Sequence, residues 1–111
     1  MIEDFVRKLF PDINFFNGQL DAEYHGVPVE VKSCQNLVTD NSHNTHRRTG
    51  RIAFESAQHR ALSEAGGEYF CVVHEEGVPK TFFRAPTDKL QLHEFSGIRS
   101  VAWTTVARWV I

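Results

Sequence analysis

Between Gln19 and Lys32 apolar and polar residues alternate, broken only by a central His25-Gly26 pair. Period two over this length is the signature of a half-buried strand pair. Gly accepts the positive φ that a two-residue hairpin turn demands, and His tolerates it better than most residues, so the segment from Gly18 to Cys34 predicts a tight β-hairpin. With His25 and Gly26 as the loop, Tyr24 faces Val27, Glu23 faces Pro28, Ala22 faces Val29 and Asp21 faces Glu30. One face then carries Leu20, Ala22, Tyr24, Val27, Val29 and Val31. The other carries Gln19, Asp21, Glu23, Pro28, Glu30 and Lys32. Slipping the register by one residue would place a valine beside Asp21, so the pattern itself selects the pairing.

Other segments follow helical or buried-strand periods. Ile2, Phe5, Val6, Leu9 and Phe10 recur at helical spacing, with Glu3, Asp4, Arg7 and Lys8 opposite and Pro11 as the stop. Phe54, Ala57, Ala61, Leu62 and Ala65 predict one face of a second helix, terminated by Gly66 and Gly67. Tyr69 to Val73 is apolar on both parities, which predicts an inner strand covered on both sides, and Thr81 to Arg84 should pair with it across a Glu76-Gly77 turn. Pro86-Thr87-Asp88 reads as a helix start. Ile98 to Trp103 reads as a strand, followed by a short helix capped by Thr104 or Thr105. The stretch from Gln35 to Gly50 is polar and aperiodic and reads as a long mobile loop. No repeat, low-complexity tract or linker divides the chain, so residues 1–111 are expected to form one domain.

Composition narrows the class. At 111 residues, 41% hydrophobic and 23% charged, the chain is that of an ordinary globular domain, able to bury roughly two thirds of its unfolded surface. The longest apolar runs, Tyr69 to Val73 and Val106 to Ile111, are far short of the roughly 20 residues a membrane helix needs. No basic segment followed by an apolar stretch opens the chain, so an intracellular, cytoplasmic protein is expected. Cys34 and Cys71 read as free thiols in a reducing compartment. The net charge of −2 argues against a DNA-coating protein, but positive charge is concentrated locally, with Arg47, Arg48 and Arg51 just after His43 and His46.

The hairpin pairing has chemical consequences. Asp21 and Glu30 should form a non-hydrogen-bonded pair with Cα atoms about 4.5 Å apart, and two carboxylates roughly 5 Å apart repel by about 3 kcal/mol at an effective dielectric near 20. Lys32, on the same face, offsets one charge. A divalent cation would offset both, and Mg²⁺ is commonly held by one or two carboxylates together with water and phosphate. Such an arrangement suits phosphodiester hydrolysis, with Lys32 where negative charge develops. A solvated cluster of mixed charge on an exposed hairpin face fits the same residues, and physical chemistry alone leaves both readings open.

Asp21, then Glu30-Val31-Lys32, then a helix carrying Gln58, together resemble the PD-(D/E)XK nuclease superfamily. Pro28 to Ser33, Gly50 to Phe54 and Gln58-His59 are most similar to archaeal Holliday-junction-resolvase-like small endonucleases. Leu20 stands where the motif's name has proline. The resemblance implies a restriction-endonuclease-like α/β fold with a central mixed sheet flanked by helices. The implied order is helix, three strands, helix and strand, then a further strand and short helices. It implies that Asp21 and Glu30 bind metal, that Val31 adds its carbonyl oxygen, and that Lys32 is the catalytic lysine. Mg²⁺ is the implied ion, with Mn²⁺ able to substitute.

Gln58 would hold the attacking water or a site carboxylate, or else be a core amide bonded to backbone. Glu3 is expected to complement the helix dipole rather than join the metal. His46, Arg47, Arg48 and Arg51, with His43, are expected to grip DNA phosphates. Cys34, His43 and His46 match no usual zinc spacing. Trp103 and Trp109 read as core residues near a dimerising surface. The resulting expectation is a metal-dependent DNA endonuclease acting as a homodimer with no membrane association. It would be structure-specific or site-specific; the alternative is a non-catalytic nucleic-acid-binding module on the same fold.

Overall fold

The computed structural model describes residues 2–16, 21–39 and 47–111. In chain order these form α1 (Ile2–Leu9), β1 (Asn14–Phe15), β2 (Asp21–Tyr24), β3 (Val27–Gln35), β4 (Leu37–Thr39), β5 (Arg47–Thr49) and β6 (Arg51–Glu55). Then come α2 (Ser56–Glu64), β7 (Glu68–Glu75), β8 (Val78–Pro86), a 3-10 turn (Thr87–Lys89), β9 (Ile98–Ala102) and α3 (Trp103–Val110). Five strands make a mixed sheet in the order β1-β2-β3-β7-β8, parallel only between β3 and β7. Helices flank it, the α/β architecture that the resemblance implies.

The hairpin has the register that its alternation requires. Asp21 pairs with Glu30, Ala22 with Val29, Glu23 with Pro28 and Tyr24 with Val27. His25 and Gly26 take φ of 50° and 82°, and Glu76 and Gly77 repeat the same turn at 49° and 82°, both in the left-handed conformation of a two-residue hairpin. β7 is an inner strand because both its faces are covered. Phe70 and Val72 join Val6, Ile13, Ala22, Val29 and Val31 on the α1 side. Tyr69, Cys71 and Val73 join Cys34, Ile52, Phe54, Leu62, Val101 and Val106 on the other. Leu9, assigned to the inner face of α1, is 46% exposed. The inward place at that end is filled by Phe10, whose ring meets Tyr24, Phe70 and Phe82.

Several elements differ from the expected ones. Gln35 to Gly50 is not wholly a loop: Gln35 completes β3, and β4 pairs with β5, Val38 opposite Arg48. Residues 40–46, with His43 and His46, lie outside the described residues. Gly50 brings the chain back so close to β3 that a Cβ there would collide with the Gln35 carbonyl oxygen. Phe54 belongs to β6, where Ile52 and Phe54 are buried while Arg51, Ala53 and Glu55 are exposed. α2 turns Gln58, His59 and Leu62 inward and leaves Ala57, Ala61 and Ala65 outside. A leucine and an imidazole bury far more apolar area than three methyl groups, so the larger side chains decide the rotation.

α3 starts at Trp103, not at Thr104 or Thr105, and has no side-chain cap. Trp103 anchors it instead, its backbone N–H donating to the Gly50 carbonyl (3.0 Å) and its indole to the Asn36 carbonyl (3.1 Å). Trp103 and Trp109 pack on the core, and both cysteines are free thiols. Among the described residues, no helix is long and apolar enough to cross a membrane.

Candidate active site

The site grows from the hairpin register. The Phe16 N–H donates to the Asp21 carbonyl across the β1 side (2.9 Å). Asp21 therefore turns its backbone groups away from β3, and Asp21 with Glu30 is the close, non-hydrogen-bonded kind of pair, with Cα atoms about 4.5 Å apart. The two carboxyls are not equivalent. Asp21 is exposed, whereas Glu30 is 5% exposed, because β6 and α2 pack over β3 and cover the face that alternation alone suggests is open. Burial, then the hydrogen bond and charge of Asp21, push the Glu30 carboxyl up to about 8. At neutral pH and without a cation, Glu30 thus keeps its proton and donates it to the Asp21 carboxylate.

A second buried carboxylate shows what is unusual here. Glu68 is also nearly inaccessible, at 8%, but it accepts from both Nε and Nη2 of Arg84 at 2.7 and 2.9 Å, the bidentate pairing that makes a buried charge tolerable. Among the described residues, Glu30 has no such partner. Lys32 acts on it only through its charge, and Gln58 only through a side-chain hydrogen bond, both favouring the ionised form.

Gln58 reaches this point because Glu55 starts α2. Its two carboxylate oxygens accept the backbone N–H groups of Ala57 (3.1 Å) and Gln58 (2.8 Å). These bonds, together with the Lys32 charge, lower the Glu55 pKa. Once the Gln58 amide N–H donates to Glu30, its Oε1 is left buried with no hydrogen-bond partner among the described residues. Such an orphan acceptor is uncommon and points to a missing donor. Behind the pair, Tyr69 stands in register with Glu30 on β7. Its hydroxyl pairs with His59 Nδ1 at 2.9 Å; burial raises the Tyr69 pKa and lowers that of His59.

Asp21, Glu30, Lys32 and Gln58 are thus brought together. Glu55 and Tyr69 adjoin them and were not legible as site residues: Glu55 sits at a helix start that places Phe54 in a strand, and Tyr69 becomes a neighbour only through the parallel pairing. The Val31 side chain is buried on the opposite face, leaving only its backbone on the site strand. Glu3 stays away, since α1 lies on that opposite face and Glu3 pairs with Arg7 at 2.9 Å. Arg47 and Arg48 are exposed on β5 beyond the end of β3, and Arg51 donates to the Ser100 carbonyl (2.7 Å). Burial pushes the Cys34 thiol up to about 11, unlike the thiolate that zinc requires.

Among the described residues, no three His, Cys, Asp or Glu side chains cluster as a cation cage. Mg²⁺ needs no such cage, because it keeps several waters and takes one or two carboxylates. A buried acid with no cationic hydrogen-bond partner, an opposed carboxylate and an orphaned amide oxygen fit a hydrated cation. An acid pair and a lysine on one hairpin of a mixed sheet, backed by an amide from the following helix, form the arrangement that the sequence resemblance implies for a restriction-endonuclease-like fold. A family model described as the PD-(D/E)XK nuclease superfamily domain matches residues 12–108, and the chain belongs to that superfamily. Comparison with curated proteins gives no match.

Proposed function

We propose that this protein is a metal-dependent DNA endonuclease that hydrolyses phosphodiester bonds at the Asp21–Glu30 pair. The observation that carries this reading is the buried Glu30 carboxyl, which is opposed by a second acid and lacks the cationic partner that Glu68 has. Asp21, Glu30 and the Val31 carbonyl oxygen would hold Mg²⁺, or Mn²⁺ in its place. When bound, the ion polarises the phosphoryl oxygen and acidifies a water. Glu30 gives up its shared proton to become a ligand, so binding is favoured by rising pH. The Lys32 ammonium, beside Glu30, faces the charge that builds on the phosphoryl oxygens. Gln58 fixes Glu30 through its N–H and leaves Oε1 to accept a hydrogen bond from the attacking water. Glu55 holds that first helical turn in place.

Arg47 and Arg48, with Arg51 and His46, would grip phosphates of the bound DNA. One site per protomer cuts one strand, so double-strand cleavage calls for a homodimer. The DNA would be a structured or branched substrate, as in the junction-resolvase-like endonucleases that the sequence resembles, or a specific duplex site, and the free thiols suit an intracellular compartment. The test offers plasmid, linear duplex, single strand and four-way junction in parallel, with Mg²⁺ or with EDTA. Cleavage should need the metal and vanish in Asp21→Asn and Lys32→Ala. Cleavage that survives either substitution or EDTA overturns the assignment, and metal-independent binding without cleavage would point to a binding module instead.

A further inference from the structure

We infer that Phe16 is a stacking platform for an unpaired base next to the scissile phosphate, so that the preferred substrate is DNA with an extruded or single-stranded nucleotide at the cleavage point. This rests on the nuclease reading and names its substrate class. The β1–β2 register pairs Asn14 with Glu23 and Phe15 with Ala22. The next position places Phe16 opposite Asp21, joined by the Phe16 N–H to Asp21 carbonyl bond of 2.9 Å. Directly opposed residues share a face and bring their Cβ atoms to about 5 Å. Phe15 therefore follows Ala22 into the core on the α1 side, and Phe16 stands on the other face with Asp21 and Glu30.

The described residues on that part of the face are exposed. Asn14, Phe16, Asp21 and Glu23 are all exposed, because α2 packs over β3 and β6 and does not reach β1. Phe16 is 50% exposed, belongs to neither core cluster, and stacks on no other ring among the described residues. The half-exposed phenyl ring belongs to neither core cluster, its described neighbours on this face are polar, and it lies one strand, about 4.8 Å, from the acid that would hold the metal. The distance is that of a single nucleotide step, not of a remote groove. Every base offers a flat π face, so such a ring recognises a base without regard to sequence. In an intact duplex both faces of each base are already stacked. The ring can be used only when the base has left the helix, which is how proteins commonly read unpaired nucleotides.

The test uses oligonucleotides of one sequence presented as a single strand, as a flap and as a full duplex, with 2-aminopurine beside the cleaved phosphate. For Phe16→Ala, KM on the unpaired substrates should rise at least about tenfold more than on the duplex, as expected from base–aromatic stacking. The loss should appear in KM and not in kcat. Phe16→Trp should restore it and Phe16→Leu should not. The wild-type protein with EDTA should quench 2-aminopurine in the single strand, and Phe16→Ala should not.

Equal losses on paired and unpaired DNA, or full rescue by leucine, would overturn the stacking role. So would lost self-association in Phe16→Ala with the quench intact, which would make the ring part of a dimer interface. Because the quench is read without metal or cleavage, a quenching protein that never cuts defeats the nuclease reading alone. A cutting protein without the quench defeats this inference alone.

Discussion

Glu30→Gln should make the metal-free protein more stable while abolishing cleavage, and the gain should depend on pH. The Glu30 carboxyl moves from an ordinary value of 4.5 to about 8 in the fold. A carboxyl raised on folding contributes its full stability below the unfolded value, where it is protonated in both states. That contribution falls as pH rises through the folded value, where the native state must also ionise. The window is therefore pH 4.5 to 8. At about 1.4 kcal/mol per pH unit, a gap of roughly 3.5 units sets a ceiling of about 5 kcal/mol. The exposed Asp21 partner is screened by water, so a loss of about 2–3 kcal/mol is the realistic expectation, or roughly 10 °C in melting temperature for a domain of this size.

The assay is thermal or urea unfolding in EDTA from about pH 4.5 to 9 for both proteins, read as their difference so that other titrations cancel. The difference should be near zero at the acid end and grow in favour of the glutamine variant towards about pH 8. Mg²⁺ should then raise the wild-type curve at alkaline pH and leave the variant nearly unmoved. A difference that is flat with pH, or a variant less stable than wild type at the alkaline end, would refute the account of Glu30 as a charge buried for a cation.

Two further outcomes follow from the same structure. Arg47→Ala with Arg48→Ala should weaken DNA binding and flatten the slope of log affinity against log salt by about one for each phosphate no longer gripped. Arg51→Ala should change it less, since that guanidinium already donates to the Ser100 carbonyl; an unchanged slope in the Arg47 and Arg48 variant would remove β5 from the interface. Gly67→Ala should destabilise the fold by about 1–3 kcal/mol, because its Cβ would lie 2.5 Å from Leu62 Cδ1 and 2.7 Å from the Pro28 carbonyl oxygen. An unchanged melting temperature would show that α2 can shift on β3, and with it Gln58.

What could be read in advance divides along a physical line. The hairpin was legible because its signal is local: period two and a His-Gly turn leave one register, and the paired acids follow from it. The inner strand β7 was legible because apolar residues on both parities have only one use in a sheet. The rotation of α2 was not, since three alanines imitate an apolar stripe and only the volume beneath the helix shows that Leu62 and His59 fill it. Nor was the β4–β5 pairing, which joins aperiodic polar residues and owes its position to Gly50 closing against Gln35. The missed neighbours of the site depend on non-local contacts too, Tyr69 on the parallel β3–β7 pairing and Glu55 on the packing of α2 over β3.

The asymmetry of the acid pair decides how a substrate can approach. Alternation treats Asp21 and Glu30 alike, as two polar positions facing each other across a hairpin. In the fold, β6 and α2 seal Glu30 from the β7 side, while Asp21 stays open to water on the β1 side. Among the described residues, the exposed side of the pair is that of Asp21, towards β1 where Phe16 stands, and the exposed arginines of β5 lie beyond the far end of β3. On the proposed function, a DNA strand would cross that exposed side, pass the acids and continue towards the paired strands β4 and β5. The burial that shifts the Glu30 proton and the exposure of Asp21 have one cause: α2 and β6 pack over β3, and Asp21 lies one strand further out.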